Sequence, residues 1–120
     1  MANERLGFIG LGVMGAPMAG HLAKAGRMLT VFDLNGDAAR RLAAPYNNVA
    51  VAESPRAVAA SSDVVLTMLP SGREVRAVAL GDDGLLQGLK PGGLLLDTSS
   101  SEPWFTREVA SRLAEAGIAM

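Results

Sequence analysis

Six residues, Gly10-Leu11-Gly12-Val13-Met14-Gly15, constrain what this chain can fold into more than any other stretch. Three glycines in six positions mark a backbone that turns tightly and stays bare of side chains. The apolar run Leu6-Gly7-Phe8-Ile9 before it reads as a buried strand. After it, Met14, Met18, Leu22 and Ala25 recur at helical spacing, which predicts a helix over 13–25 with Gly26 as its stop. Strand, glycine turn and helix in that order open a βαβ unit.

The alternation continues along the chain. Leu29-Thr30-Val31-Phe32 is a second strand, followed by a helix over 37–44 that Pro45 closes. Val49-Ala50-Val51 is a weak third strand, and Ser54 caps a helix with Pro55 at its first position. The clearest strand covers 63–69 and is halted by Pro70; a helix over 74–80 and a turn at 81–84 follow. A fifth strand is expected over 93–97, then a helix over 103–116 with Phe105, Val109, Leu113 and Ala116 on one face. Ile118-Ala119-Met120, after Gly117, reads as a sixth strand beginning. Such spacing predicts an α/β fold: a Rossmann-type, doubly wound parallel sheet in three αβα layers. One domain over 1–120 is expected, truncated at the start of strand six, with the natural polypeptide continuing beyond it.

Composition narrows the chemistry. Hydrophobic residues at 49% and charged residues at 19% suit a globular domain, and 11 basic against 12 acidic residues leave a net charge of −1. No cationic field is present to draw nucleic acid or an anionic membrane. The absence of cysteine removes disulfides and thiolate sites, and a lone histidine, His21, argues against a His-based metal site or a catalytic triad. The opening Met1–Arg5 carries no signal-peptide pattern, and no stretch approaches the ~20 apolar residues of a membrane span. A cytoplasmic location is the expectation. Aromatics at 4% beside 14 glycines fit helices packed closely on a parallel sheet.

The glycine turn then takes on a chemical meaning. G-x-G-x-x-G between a strand and a helix, with Asp33 closing the next strand 18 residues after Gly15, is the fingerprint of a dinucleotide-binding turn. Gly10 permits the turn, Gly12 lets backbone approach a pyrophosphate, and Gly15 lets the helix sit tightly on the sheet. Free amides and the dipole at the helix start stabilise the phosphate charge. Asp33 is placed to accept hydrogen bonds from the adenosine ribose and to repel a 2′-phosphate. No arginine follows at 34–36, although Arg40 and Arg41 lie further on, so NAD is favoured and NADP stays open.

Two more strand ends matter, because ligands of such sheets sit outside the carboxyl ends of the strands. Leu69-Pro70-Ser71 and Thr98-Ser99-Ser100-Ser101 follow the fourth and fifth strands. Pro70 also reads as a simple strand terminator, and the serines as a cap for the helix near Pro103. His21 reads as a helix-surface or packing residue, Trp104 as a packing aromatic near a helix start, and Arg107, Glu108, Arg112 and Glu115 as a solvated helix face.

The stretch from Phe8 to Gly26 resembles the N-terminal signature of the β-hydroxyacid dehydrogenases, which include 3-hydroxyisobutyrate dehydrogenase, tartronate semialdehyde reductase and, more distantly, 6-phosphogluconate dehydrogenase. Met-Leu-Pro-Ser at 68–71 and Leu-Leu-Asp-Thr-Ser-Ser at 95–100 are similar to later landmarks of that family, so the resemblance covers essentially the whole chain. It implies an NAD(P)-dependent oxidoreductase that interconverts a small β-hydroxyacid and its semialdehyde. It implies that Leu11, Val13 and Met14 join the glycines at the pyrophosphate and that Asp33, Leu34 and Asn35 surround the ribose. Leu69, Pro70 and Ser100 would contact the nicotinamide portion. Glu74 departs from the asparagine that relatives often carry nearby. The resemblance also implies a substrate-binding Ser-Gly-Gly loop, a catalytic lysine and an all-helical second domain after Met120, with homo-oligomers formed through that domain. No catalytic residue, and no metal site, is therefore expected within these 120 residues; the piece should bind cofactor without turnover and expose apolar surface where the second domain would sit. An imine or glyoxylate reductase half and a free-standing NAD(P)-sensing module are the alternative readings.

Overall fold

The computed structural model describes residues 4–120, so the leader reading at 1–3 lies outside the described residues. Five strands, β1 (Leu6–Ile9), β2 (Leu29–Phe32), β3 (Val49–Val51), β4 (Val64–Thr67) and β5 (Leu94–Asp97), form one sheet of order β3-β2-β1-β4-β5, parallel throughout. Between them run α1 (Gly15–Lys24), α2 (Gly36–Ala43), α3 (Pro55–Ala60) and α4 (Gly72–Leu80), and α5 (Pro103–Glu115) follows β5. The chain winds outward from β1 to β3 and then returns to β4, so the direction of winding reverses beside β1. This places the topological switch between β1 and β4, where such sheets receive their ligands.

Two apolar layers hold the helices on opposite faces. On one, Leu6, Phe8, Leu29 and Val31 pack under Ala19 and Ala23 of α1 and Ala39 of α2. On the other, Ile9, Val65 and Leu95 pack under Val58 of α3, Ala79 of α4, and Val109 and Leu113 of α5. Alternate residues of β1 thus serve both layers, as in a sheet covered on both sides. Each large side chain fully buried this way contributes roughly 1.5–3 kcal/mol. The buried stripe of α1 is Gly15, Ala19 and Ala23, residues small enough to bring the helix axis close to the sheet.

Elements differ from the sequence expectation mostly at their ends. α1 starts at Gly15 rather than at 13, because Val13 and Met14 belong to the turn. α4 begins two residues early, at Gly72, where extended Ser71 sets the N-cap. β4 spans four residues of the seven expected, since the chain peels away towards Pro70, which has no amide to donate. A 3₁₀ turn over Leu85–Gln87 was not anticipated; Leu85 fills the core beneath α3 and α4. The serines after β5 do not cap α5: Glu102 is its N-cap, without a side-chain bond, and Pro103 occupies the first turn. Trp104, expected to pack, is 60% exposed beside Phe105. Arg107, Arg112 and Glu115 lie on an exposed helix face as expected, where Glu108 also pairs with Arg76 of α4 at 2.9 Å. At the end, Ala119 bridges Leu94 in parallel, which extends the sheet beyond β5 as a sixth strand would.

Candidate functional site

Every element that ends at the carboxyl edge of the sheet near the switch delivers backbone to one cleft. Gly10 leaves β1 at φ +103°, and a Cβ there would strike the carbonyl of Met68. A Cβ on Gly15 would be driven into the carbonyl oxygen of Gly10. The protein's own packing therefore accounts for both glycines. Gly12 differs: a Cβ on it would meet nothing within 4 Å. The fold leaves open space above that backbone, which is what a closely approaching ligand needs.

Asp33, just after β2, fixes the turn. One carboxylate oxygen accepts from the amide of Leu11 at 2.6 Å and the other from the amide of Asn35 at 2.8 Å. Asn35 in turn caps α2, its side chain accepting from Asp37 at 3.1 Å. The amides of Gly12, Val13 and Met14 have no protein acceptor among the described residues, and Met14 gives α1 no side-chain cap. A helix start with free donors and no acid in its first turn favours an anion.

The cleft measures about 720 Å³, within the range of cofactor sites. It runs from Asp33 and Leu34 at the β2 end, across Gly10, Gly12, Val13, Met14 and Gly15, to Met68, Leu69 and Pro70 at the β4 end. Nine of the twelve residues expected to contact the cofactor line it. The remaining three sit elsewhere: the Leu11 side chain is buried in the core, Asn35 caps α2, and Ser100 is exposed on the loop after β5. Sequence reasoning missed the far wall, made by Pro55, Ala77, Val78 and Asp82, and left Glu74 in doubt. Glu74, Ala77 and Val78 are spaced three and four apart along α4, the signal that could have found that wall. At the mouth, Val13 and Leu34 are 92% and 95% exposed, apolar surfaces without a partner in the chain.

The charges of the cleft are all of one sign. Asp33, Glu74 and Asp82 line it, with no Lys, Arg or His among its lining residues. The Ser71 hydroxyl bonded to Glu74, with help from backbone amides, holds that carboxyl below its ordinary range, so it is ionised at neutral pH. Arg40, on α2 beyond Asp33, is engaged by Asp37. With no cationic side chain among the lining residues, the lining offers an anion the free backbone N–H groups of the glycine turn. No cluster of His, Cys, Asp and Glu among the described residues can hold a metal ion, and no helix is long and apolar enough to cross a membrane.

Residues 5–120 match the family model of the NAD binding domain of 6-phosphogluconate dehydrogenase. The chain belongs to that family.

Relatives of this NAD-binding domain agree with the match. The Dictyostelium discoideum protein named "Probable 3-hydroxyisobutyrate dehydrogenase, mitochondrial" is 44% identical over 110 residues, 92% of this chain and 34% of that protein. The NAD-dependent L-serine dehydrogenase of Pseudomonas aeruginosa is 43% identical over 117 residues, 98% of this chain and 39% of its own length. The solved structure of Mycobacterium tuberculosis 3-hydroxyisobutyrate dehydrogenase with L-serine superposes at a TM-score of 0.85 and 37% identity, over 97% of this chain and 38% of that one. The chain thus spans between a third and two fifths of the length of these relatives. The cofactor of such a domain is a nicotinamide dinucleotide, and the bare backbone at Gly12 fits one.

Proposed function

We propose that this chain is the cofactor half of an oxidoreductase that interconverts a small β-hydroxyacid and its semialdehyde, and that it binds NAD in preference to NADP. The observation that carries the reading is the open space over Gly12 beside three unused amides. The pyrophosphate lies against Gly12, Val13 and Met14, where Gly10 and Gly15 shape the turn. The adenosine ribose lies against Asp33, with Leu34 and Asn35 beside it, and Leu11 serves by tying its amide to Asp33. The nicotinamide end reaches Leu69 and Pro70, with Ser100 on the loop behind. When bound, the dinucleotide supplies the hydride acceptor or donor.

Cofactor choice follows from charge. A 2′-phosphate on the ribose would face Asp33 in a cleft whose lining includes no cation. Two like charges about 5 Å apart at an effective dielectric near 40 repel by roughly 1.5 kcal/mol, which is about tenfold in affinity. Calorimetric titration with NAD and NADP tests this directly: NAD should bind at least about tenfold tighter, and a preference for NADP would overturn the role given to Asp33.

Substrate recognition and proton transfer are assigned to residues outside these 120, as is the self-association of the complete enzyme. The relatives, whose names are those of dehydrogenases of small hydroxyacids, support this division through their greater length. The 120 residues alone should therefore form no NADH from 3-hydroxyisobutyrate or serine. We place the protein in the cytoplasm.

A further inference from the structure

Behind the β4 end of the cleft stands a polar network that the cofactor reading leaves unused. Thr67, the last residue of β4, is fully buried, and its hydroxyl donates to Oδ1 of Asp97 at 2.9 Å. Asp97 is the last residue of β5. Its Oδ1 also accepts from the amide of Ser99 at 3.0 Å, and its Oδ2 from the hydroxyl of Ser101 at 3.2 Å. Ser99 passes the link on, its hydroxyl oxygen accepting from the amide of Leu69 at 2.7 Å. Thr98 adds two bonds to the carbonyl of Thr67, from its amide at 2.8 Å and its hydroxyl at 2.7 Å. Three donors converge on a half-buried carboxylate, and none of them is charged. Asp97 lines no part of the cleft; Leu69 does.

Such an arrangement has a mechanical reading. The segment Met68-Leu69-Pro70 has left the sheet and has only the Met68 amide bonded back to β1, at 3.0 Å to the carbonyl of Ile9. Beyond that, the Leu69 amide is held by Ser99, whose own amide is held by Asp97, while the Thr98 hydroxyl reaches Met68 Sδ at 3.3 Å and the Leu69 side chain packs on the core. A carboxylate holds such donors more firmly than a neutral acceptor, through charge-assisted hydrogen bonds. Its low-dielectric surroundings make that hold stronger still.

We propose that Asp97 is a positioning residue for the nicotinamide ring: without touching the cofactor, it fixes, through Ser99, the loop at 68–70 against which the ring rests. The inference depends on the cofactor orientation proposed above, with the adenosine at Asp33 and the other end at β4. It predicts that damage to the network weakens only ligands that carry the ring.

The test compares NADH with ADP-ribose, which keeps the adenosine, the pyrophosphate and the second ribose but lacks nicotinamide. Dissociation constants are measured by calorimetry for the wild type, Asp97→Ala and Ser99→Ala. Both variants should raise the constant for NADH about tenfold and leave that for ADP-ribose within about twofold. Ser99→Ala removes only the acceptor for Leu69 and leaves Thr67 and Asp97 paired, so it decides the matter should Asp97→Ala fail to fold. Equal weakening of both ligands, or of neither, overturns the proposal. A wild type that binds neither ligand instead overturns the cofactor reading on which it rests.

Discussion

Gly12 and Gly15 sit three residues apart in the same turn, and the structure assigns them opposite reasons for lacking a side chain. Replacing Gly15 by alanine drives a methyl group into the Gly10 carbonyl, a backbone atom that cannot swing aside. Helix α1 must then lift from the sheet, loosening the layer of Phe8, Ala19 and Ala23. Overpacking of this kind costs roughly 1–3 kcal/mol. Gly12→Ala places its methyl in open space at a φ outside the left-handed region, so the folded state is unstrained. Fewer unfolded conformations should even raise stability by about 0.4–1 kcal/mol. For a domain of this size that is a rise in melting temperature of a few degrees, about 2–5 °C. The same methyl stands where the pyrophosphate approaches and displaces at least one charge-assisted hydrogen bond, worth about 1.5–3 kcal/mol, hence about 10- to 100-fold in NAD affinity. Thermal denaturation and calorimetric titration of the two variants read both quantities. A Gly12→Ala protein that melts lower than wild type, or that binds NAD with unchanged affinity, would refute the reasoning.

Three further expectations concern charge. Glu74→Gln removes one of the three acids of the cleft and should tighten NAD by about two- to fivefold, read by the same titration. Asp33→Ser removes the carboxylate that faces the ribose and should narrow the NAD preference over NADP by at least about fivefold, while loosening the Leu11 amide. The Arg5 guanidinium, hydrogen-bonded to Asp63, holds that carboxyl below the usual 3.8. A depressed folded value gives stability that is present above the unfolded carboxylate range and lost as pH falls through the folded value. Melting temperature should accordingly decline more steeply below about pH 4 in the wild type than in Asp63→Asn, a small effect for so exposed a pair.

The fold was legible because its signals are local. Apolar runs such as Leu6–Ile9 and helix caps such as Ser54 with Pro55 mark elements without reference to distant residues, and the glycine turn fixes how the first two join. What sequence could not supply was contact between segments far apart in the chain. The Asp33–Leu11 bond joins residues 22 apart, and the Ser99–Leu69 bond residues 30 apart. Ser99 and Ser101, open to reading either as a helix cap or as hydroxyls at the ligand side, instead bond to Leu69 and Asp97. The α4 wall was missed because Ala77 and Val78 look like ordinary core residues until the cleft beside them is seen. Trp104, read as a packing residue, stands exposed, and nothing in the structure explains its position.

Amide resonances of a ¹⁵N-labelled sample, followed as NAD is added, test most directly whether the free backbone donors at the start of α1 hold the diphosphate. Gly12, Val13 and Met14 should show the largest shifts, with smaller ones at Asp33–Asn35 and Leu69. Saturable shifts confined to the opposite edge of the sheet, around Arg5 and Lys90, with the glycine turn unmoved, would contradict that placement.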